Sequence, residues 1–233
     1  MHPFLNTAVR AARDAGSIIA RNIDRIDSLE ISNKARNDYV SEVDRQAEDA
    51  IIKRLKRAYP EHGFLGEESG ITEGNEYQWI IDPLDGTTNF LQGIPHYAVS
   101  IALKHRDRIE HAVIYDPFKD ELFTASAGSG AMLNHRRLRV SSRKSLDGAL
   151  LATGTPFRED QNIEAFIQSL RLFLRGTSGI RRAGSAALDL AYVAAGRLDG
   201  FWEIGLAPWD MAAGVLIIRE AGGLVGDFGG SEK

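Results

Sequence analysis

The stretch Trp79-Ile80-Ile81-Asp82-Pro83-Leu84-Asp85-Gly86-Thr87-Thr88-Asn89-Phe90 decides how the chain is read. It opens with a short apolar run that stops abruptly at Asp82-Pro83. Proline has no N–H for a sheet ladder and biases the preceding residue away from helix, so the run predicts a strand ending there. Two carboxylates then stand three positions apart, with the proline stiffening the chain between them. Such an arrangement can aim Asp82 and Asp85 at one point, and ionised oxygens are what hard cations such as Mg²⁺ prefer. Gly86-Thr87-Thr88 allows close backbone approach, and N–H groups opening a helix suit a phosphate. Taken alone, the string serves equally as a polar turn with Asp82 or Asp85 as a cap.

Two flanking segments add acids. Phe64-Leu65-Gly66-Glu67-Glu68-Ser69-Gly70 places an acidic pair in a glycine-flanked loop shortly before the strand, where Glu67 by itself reads as a solvated loop acid. Pro208-Trp209-Asp210-Met211-Ala212-Ala213-Gly214 opens an apolar helix with an aspartate, which the helix dipole alone would explain.

Around these, Pro3 and the spacing of Leu5, Ala8, Val9, Ala12, Ala15 and Ile19 predict a first helix. Ala47, Ala50, Ile51 and Leu55 predict a second over 44–58, with Asp44 as its cap. The polar stretch 32–42, which carries Lys34 and Arg36, reads as an exposed charged loop. Strands are expected at 98–103, 112–115 and 121–125, the last two joined by a hairpin at Asp116-Pro117-Phe118-Lys119-Asp120. After Leu150-Leu151-Ala152, a helix presents Ile163, Ile167, Leu170 and Leu174 on one face. Residues 185–195 form another, Phe201-Trp202-Glu203 a strand, and 209–221 a last helix with Met211, Val215, Leu216 and Ile218 as core candidates. Helices and strands alternate without repeat or linker, which predicts one layered α/β domain over 1–233, in two packed halves near 1–140 and 141–233.

Composition narrows the chemistry. The 233 residues carry a net charge of −4 and no cysteine, which excludes thiolate-bound zinc, iron–sulfur clusters, disulfides and a cysteine nucleophile. The charge balance gives no general attraction to nucleic acid, so an anionic substrate needs a local device such as a bound cation. Neither a signal peptide nor an apolar run of ~20 residues is visible, and the expectation is a cytoplasmic protein without membrane contact. The six histidines show no metal-ligand spacing, and His96 and His111 read as structural or exposed. Gly128-Ser129-Gly130 reads as a turn. The basic cluster at His135, Arg136, Arg137 and Arg139 reads as a solvated face or a contact surface for RNA or an acidic partner. Phe201 and Trp202 read as core and substrate-wall residues.

Gly66-Glu67-Glu68-Ser69, Asp82 to Phe90 and Trp209-Asp210-Met211-Ala212-Ala213-Gly214 together resemble the inositol monophosphatase family, in its order and spacing, and most closely its bacterial SuhB-type branch. Arg181 to Leu190 and Trp202-Glu203-Ile204-Gly205 extend the resemblance, which runs along nearly the whole chain. It implies an αβαβα sandwich, the sugar-phosphatase fold, and Mg²⁺-dependent hydrolysis of small phosphate monoesters, first of all myo-inositol 1-phosphate. Fructose 1,6-bisphosphate, NADP and histidinol phosphate are the alternative substrates. A homodimer and lithium sensitivity are implied as well. The SuhB-type branch is also associated with the transcription and RNA machinery, so an interaction role with such a partner stands beside catalysis, with residues 135–144 as its sequence feature.

By the same resemblance, Glu67, Asp82 and the Leu84 carbonyl would hold one Mg²⁺. Asp82, Asp85 and Asp210 would hold a second, and a third, weaker position lies near Glu67 through water. Asp44 and Thr87 would orient and help deprotonate the attacking water. Gly86 and Thr87 amides would hold the phosphate, Ala186 and Glu203 the substrate hydroxyls, with Asp85 and Asp210 also facing the substrate. The family loop matching Lys34 and Arg36 contributes to metal binding. One departure stands out: family members usually continue through another strand and helix beyond Asp227-Phe228-Gly229-Gly230-Ser231-Glu232-Lys233. Without them a sheet edge and an apolar surface are expected to lie uncovered.

Overall fold

A computed structural model describes residues 2–28, 31–35, 38–156 and 162–231. Helix α1 (Pro3–Asn22) passes through a 3₁₀ segment (Ile23–Ser28) to a hairpin of β1 (Ile31–Ala35) and β2 (Asp38–Ser41), then to α2 (Glu42–Ala58). Strands β3 (Gly63–Gly66), β4 (Gly70–Thr72) and β5 (Tyr77–Asp85) lead to the short α3 (Thr87–Leu91). An antiparallel run follows: β6 (Ala98–His105), β7 (Arg108–Asp116), β8 (Glu121–Ser126), β9 (Gly130–Leu133) and β10 (Arg136–Arg137). The chain continues with β11 (Ala149–Thr153), α4 (Ile163–Leu174), β12 (Thr177–Arg181), α5 (Ala186–Ala194), β13 (Gly200–Trp202) and α6 (Pro208–Glu220).

The order β10-β9-β8-β7-β6-β5-β3-β4 makes one eight-stranded sheet, and β12-β11-β13 a parallel three-stranded one. Period-two alternation gives the large sheet two apolar faces. Trp79, Ile81, Val99, Ile101, Leu103 and Val113 point toward α1 and α2. Ile80, Ala98, Ala102, Ala112 and Ile114 point the other way, toward α5 and α6. On the far side of that helical layer lies the three-stranded sheet, closed by α4 through Ala149, Leu151, Phe166 and Trp202. The five layers run helix, sheet, helix, sheet, helix, the αβαβα order implied by the resemblance.

Glycine lets the middle layer close. A Cβ on Gly214 of α6 would lie 2.5 Å from the Leu190 side chain of α5. Gly214→Ala therefore forces two packed helices apart, and about 1–3 kcal/mol of stability should be lost. A urea midpoint equal to wild type would show that the pair has slack.

Several expectations change. The described residues of 32–42 are not a loop: 32–35 and 38–41 lie in the β1–β2 hairpin and Glu42 opens α2, with Asn33 paired to Tyr39. Arg36 lies outside the described residues. On α4, Ile163 and Leu174 are exposed, and Phe166, Ile167, Leu170 and Phe173 form the packed face instead. Met211 is exposed rather than core. Trp202 belongs to the core under α4, its indole N–H donating to Ser169 Oγ at 3.0 Å, and Phe201 packs against the α5–α6 core; neither lines the catalytic-type cleft described below. Glu203 falls just past β13.

The largest change concerns β5. The strand does not end at Asp82 but runs to Asp85, pairing Asp82 with Ser100 and then Asp85 with Ala98. Three residue steps on β5 face two on β6, which is a β-bulge. Pro83 sits inside it, where its missing N–H breaks no ladder bond. Among the described residues no helix is long and apolar enough to cross a membrane.

Candidate active site

A cleft of about 440 Å³ opens where the end of β5 meets the starts of α3, α5 and α6. Glu67, Asp82, Asp85 and Asp210 share its wall with Leu84, Gly86 and Thr87, and Ala186 and Glu203 line it as well. Nine of the ten residues singled out in the sequence thus border one cavity; Asp44 is buried behind Thr87.

The bulge makes the pairing of acids work. In an unbroken strand, residues at an odd separation point to opposite faces. Here the extra residue puts Asp82 and Asp85 on the same side, facing α5 and α6, while Leu84 buries its side chain on the other face. Asp82 Oδ1 accepts the Leu84 N–H at 3.0 Å. One oxygen of Asp85 accepts from Ser185 Oγ and from the Ala187 N–H, both at 2.6 Å, so the start of α5 holds it in place. Asp210 is fixed the same way by its own helix, accepting the Ala207 N–H at 2.7 Å.

Electrostatics follow from crowding. Burial, then the charges of Glu67, Asp85 and Asp210, hold the Asp82 carboxyl well above the usual range, and a carboxyl–carboxyl hydrogen bond joins it to Glu67. Burial and Asp210 push Asp85 up to about 7, against the lowering by its Ser185 and Ala187 donors. A carboxyl pair joined by hydrogen bonding holds a proton where a hard cation could sit, and the donors are all oxygen, the set Mg²⁺ takes. As they stand, no three acid or histidine side chains among the described residues are drawn around a common point. The residues fit the ion by donor type and charge.

Asp44 has two duties. One oxygen accepts the Ser41 N–H at 2.9 Å, completing a capping box at the start of α2. The other accepts Thr87 Oγ–H at 2.8 Å. The cap reading and the site role therefore coexist in one carboxyl, which burial raises above its ordinary pKa. Thr87 Oγ also lies 3.0 Å from the Leu84 carbonyl. Gly86 takes φ 99°, in the left-handed region, and a Cβ there would lie 3.0 Å from the His96 carbonyl, so glycine is required.

The sequence profile of the inositol monophosphatase family matches residues 1–233. The chain belongs to the inositol monophosphatase family. It is 58% identical to the Nus factor SuhB of Pseudomonas aeruginosa, over 100% of this chain and 88% of that one. A crystal structure of the extragenic suppressor protein suhB from Bartonella henselae superposes with a TM-score of 0.95 at 51% identity, covering 98% of this chain and 88% of that one. The inositol monophosphatase from Anabaena gives 0.80 at 41% identity, over 94% and 81%.

Sequence reasoning missed two acids in or behind the cleft of this family member, Asp189 and Glu48. Glu203 lies against Gly154, where a Cβ would fall 1.9 Å from its carboxyl. Asp189 lines the cleft, raised to about 8 by burial and by Asp85 and Glu203, with Arg182 opposing. Glu48, only 2% exposed, accepts backbone N–H groups of the loop carrying Glu67. Their signal was an acid at a buried helical position: Glu48 on the α2 face that carries Ala47, Ile51 and Leu55, and Asp189 within an otherwise apolar α5.

The raised acids make a pH prediction for chelator-treated protein. Asp85 and Asp189 bind protons in the folded chain that they would release on unfolding at neutral pH. Their contribution is complete below the ordinary value of 3.8 and is lost as pH rises through about 7 and about 8. The contribution of these acids to the melting temperature should fall from about pH 4 to about pH 8 and level off above that. A flat profile that stays flat in Asp189→Asn would remove the buried-acid account.

Proposed function

We propose that the chain hydrolyses small phosphate monoesters with Mg²⁺, preferring myo-inositol 1-phosphate. The observation that carries this reading is the single cleft in which Glu67, Asp82, Asp85 and Asp210 face the start of α3, with Asp44 behind Thr87. Glu67, Asp82, the Leu84 carbonyl, Asp85 and Asp210 would hold the ions. Bound there, Mg²⁺ supplies positive charge against the phosphate and a more acidic water.

The chain's own groups do the rest. The N–H groups of Gly86 and Thr87 open α3 and have no partner within its first turn, so they are available to phosphate oxygens. Thr87 Oγ gives its proton toward Asp44 and keeps lone pairs for the attacking water. As water oxygen bonds to phosphorus and the ester P–O bond breaks, the water's proton passes through Thr87 to Asp44, and the leaving alkoxide takes a proton from solvent. Raised by burial, Asp44 is a better acceptor than an exposed aspartate. Phosphoryl transfer needs chiefly positioning and charge, so no phosphoenzyme is required. Glu203, seated on Gly154, faces the cleft as an acceptor for polyol hydroxyls.

The test is phosphate release from inositol 1-phosphate with Mg²⁺ and with chelator, beside fructose 1,6-bisphosphate, NADP and histidinol phosphate. Turnover indifferent to chelator would sink the reading; a different best substrate would rename it. We further expect a cytoplasmic homodimer inhibited by lithium, readable by light scattering and by the same assay.

A second reading is supported by the relatives' name, Nus factor SuhB. In it, the chain also binds a component of the transcription machinery, independently of catalysis. Asp85→Asn should then retain such a partner in a pull-down, and capture of none by wild type would count against the role.

A further inference from the structure

We propose that Glu48 is a positioning residue for the Glu67 loop and thereby sets the affinity of the cleft for divalent cations; this rests on the metal-dependent reading above. Glu48 touches no metal-ligand side chain named so far. It sits on α2 one turn after Asp44, 2% exposed, with no ion-pair partner among the described residues. A buried carboxyl without a counter-charge is costly, and backbone donors are what offset it.

Both oxygens are used. Oε2 accepts the Glu68 N–H at 3.0 Å, and Oε1 accepts the Ser69 N–H at 2.7 Å. The Glu67 N–H itself donates to the Ile81 carbonyl of β5 at 3.1 Å. The three consecutive N–H groups at 67–69 are therefore tied to two different elements, and the Glu67 side chain leaves from the middle of that clamp. Gly66 shows how close the contact is: a Cβ there would lie 2.6 Å from Glu48 Oε2 and equally close to Ser69 Oγ.

The same helix face holds the other half of the machinery. Asp44 and Glu48 stand four residues apart, the spacing that puts two side chains on one face of a helix. Asp44 receives Thr87, while Glu48 receives the loop that carries Glu67. One rigid helix thus fixes the separation between the water-orienting pair and an acid of the proposed metal set. An apolar residue at 48 could fill the space, but it could not accept either loop N–H.

The experiment uses Glu48→Gln in the full chain. A glutamine amide offers one acceptor and turns its NH₂ against the second backbone donor. Amide exchange at Glu68 and Ser69 is expected to quicken at least about 10-fold without metal. The Mg²⁺ concentration for half-maximal thermal stabilisation should rise about 10–100-fold, the usual effect of a lost supporting partner. In a Glu67→Gln background, Glu48→Gln should add no further shift, because its effect passes through Glu67. Unchanged protection, a midpoint within about twofold of wild type, or full additivity with Glu67→Gln would each overturn the proposal. Gly66→Ala attacks the same contact from the loop side and replaces Glu48→Gln if that variant does not fold. A wild type whose melting ignores Mg²⁺ would overturn the affinity claim together with the metal reading, whereas the exchange data alone decide whether Glu48 clamps the loop.

Discussion

Asp210→Asn is expected to lower Mg²⁺-dependent phosphate release by about 100-fold or more at fixed Mg²⁺ while leaving the fold intact. Losing a supporting group already costs about 10–100-fold in metal affinity or activity, and a direct ligand should cost at least as much. The fold survives because asparagine keeps the size and still offers an oxygen to the Ala207 N–H, now accepted at 2.7 Å. The change also removes a negative charge that acts on both Asp82 and Asp85. In chelator the variant should therefore melt at or above the wild-type temperature. It is the divergence of the two readouts, activity down and metal-free stability not down, that identifies a ligand rather than a structural acid. Near-normal turnover would take Asp210 out of the metal set.

Trp79→Ala is expected to be the most damaging single substitution in the core, by about 3–5 kcal/mol. Trp79 is the largest fully buried side chain, on the β5 face that meets α1 and α2, with Tyr59 and His62 stacked beside it. Domain stabilities are about 5–15 kcal/mol, so the loss would remove a large share of the total. Trp79→Phe should cost much less. Its indole N–H is buried with no acceptor among the described residues, and deleting an unpaired donor recovers part of what the lost volume forfeits. Urea midpoints of the two variants measure the difference; equal losses would mean that volume alone decides.

Much of this was legible in the chain. Apolar spacing located α1 and α2, because their buried faces are built from residues that repeat at the helical period, whereas α5 and α6 were legible as mostly apolar runs buried on several sides. The acids were legible as a set through family resemblance, since Glu67 and Asp210 individually had adequate explanations as loop and helix-start residues. What stayed hidden has physical causes. The β1–β2 hairpin has strands of five and four residues, too short for an apolar alternation to stand out in the sequence. On α4, Phe166 and Phe173 are buried against the small sheet while Leu172 and Leu174 are exposed, and hydropathy alone could not rank them. Glu48 and Asp189 were hidden because an acid on an amphipathic helix is ordinarily read as solvated, whereas here it meets backbone donors or a cleft.

The bulge in β5 has a consequence for how this sequence can change. Side chains near Asp82 can be exchanged within limits set by packing, and the damage grows with the misfit. The pairing of Asp82 and Asp85 with β6 obeys a different rule, because a sheet assigns faces by parity. With three residue steps between them, the two acids share a face only while the bulge is kept; a change that straightened the strand without shortening it would turn one of them through the sheet, toward α1 and α2. The two acids would then be separated by the thickness of a strand, and no rotamer could reunite them. Whether the acids share a face therefore depends on keeping the bulge, which is all or none, rather than on the graded fit of the side chains around it.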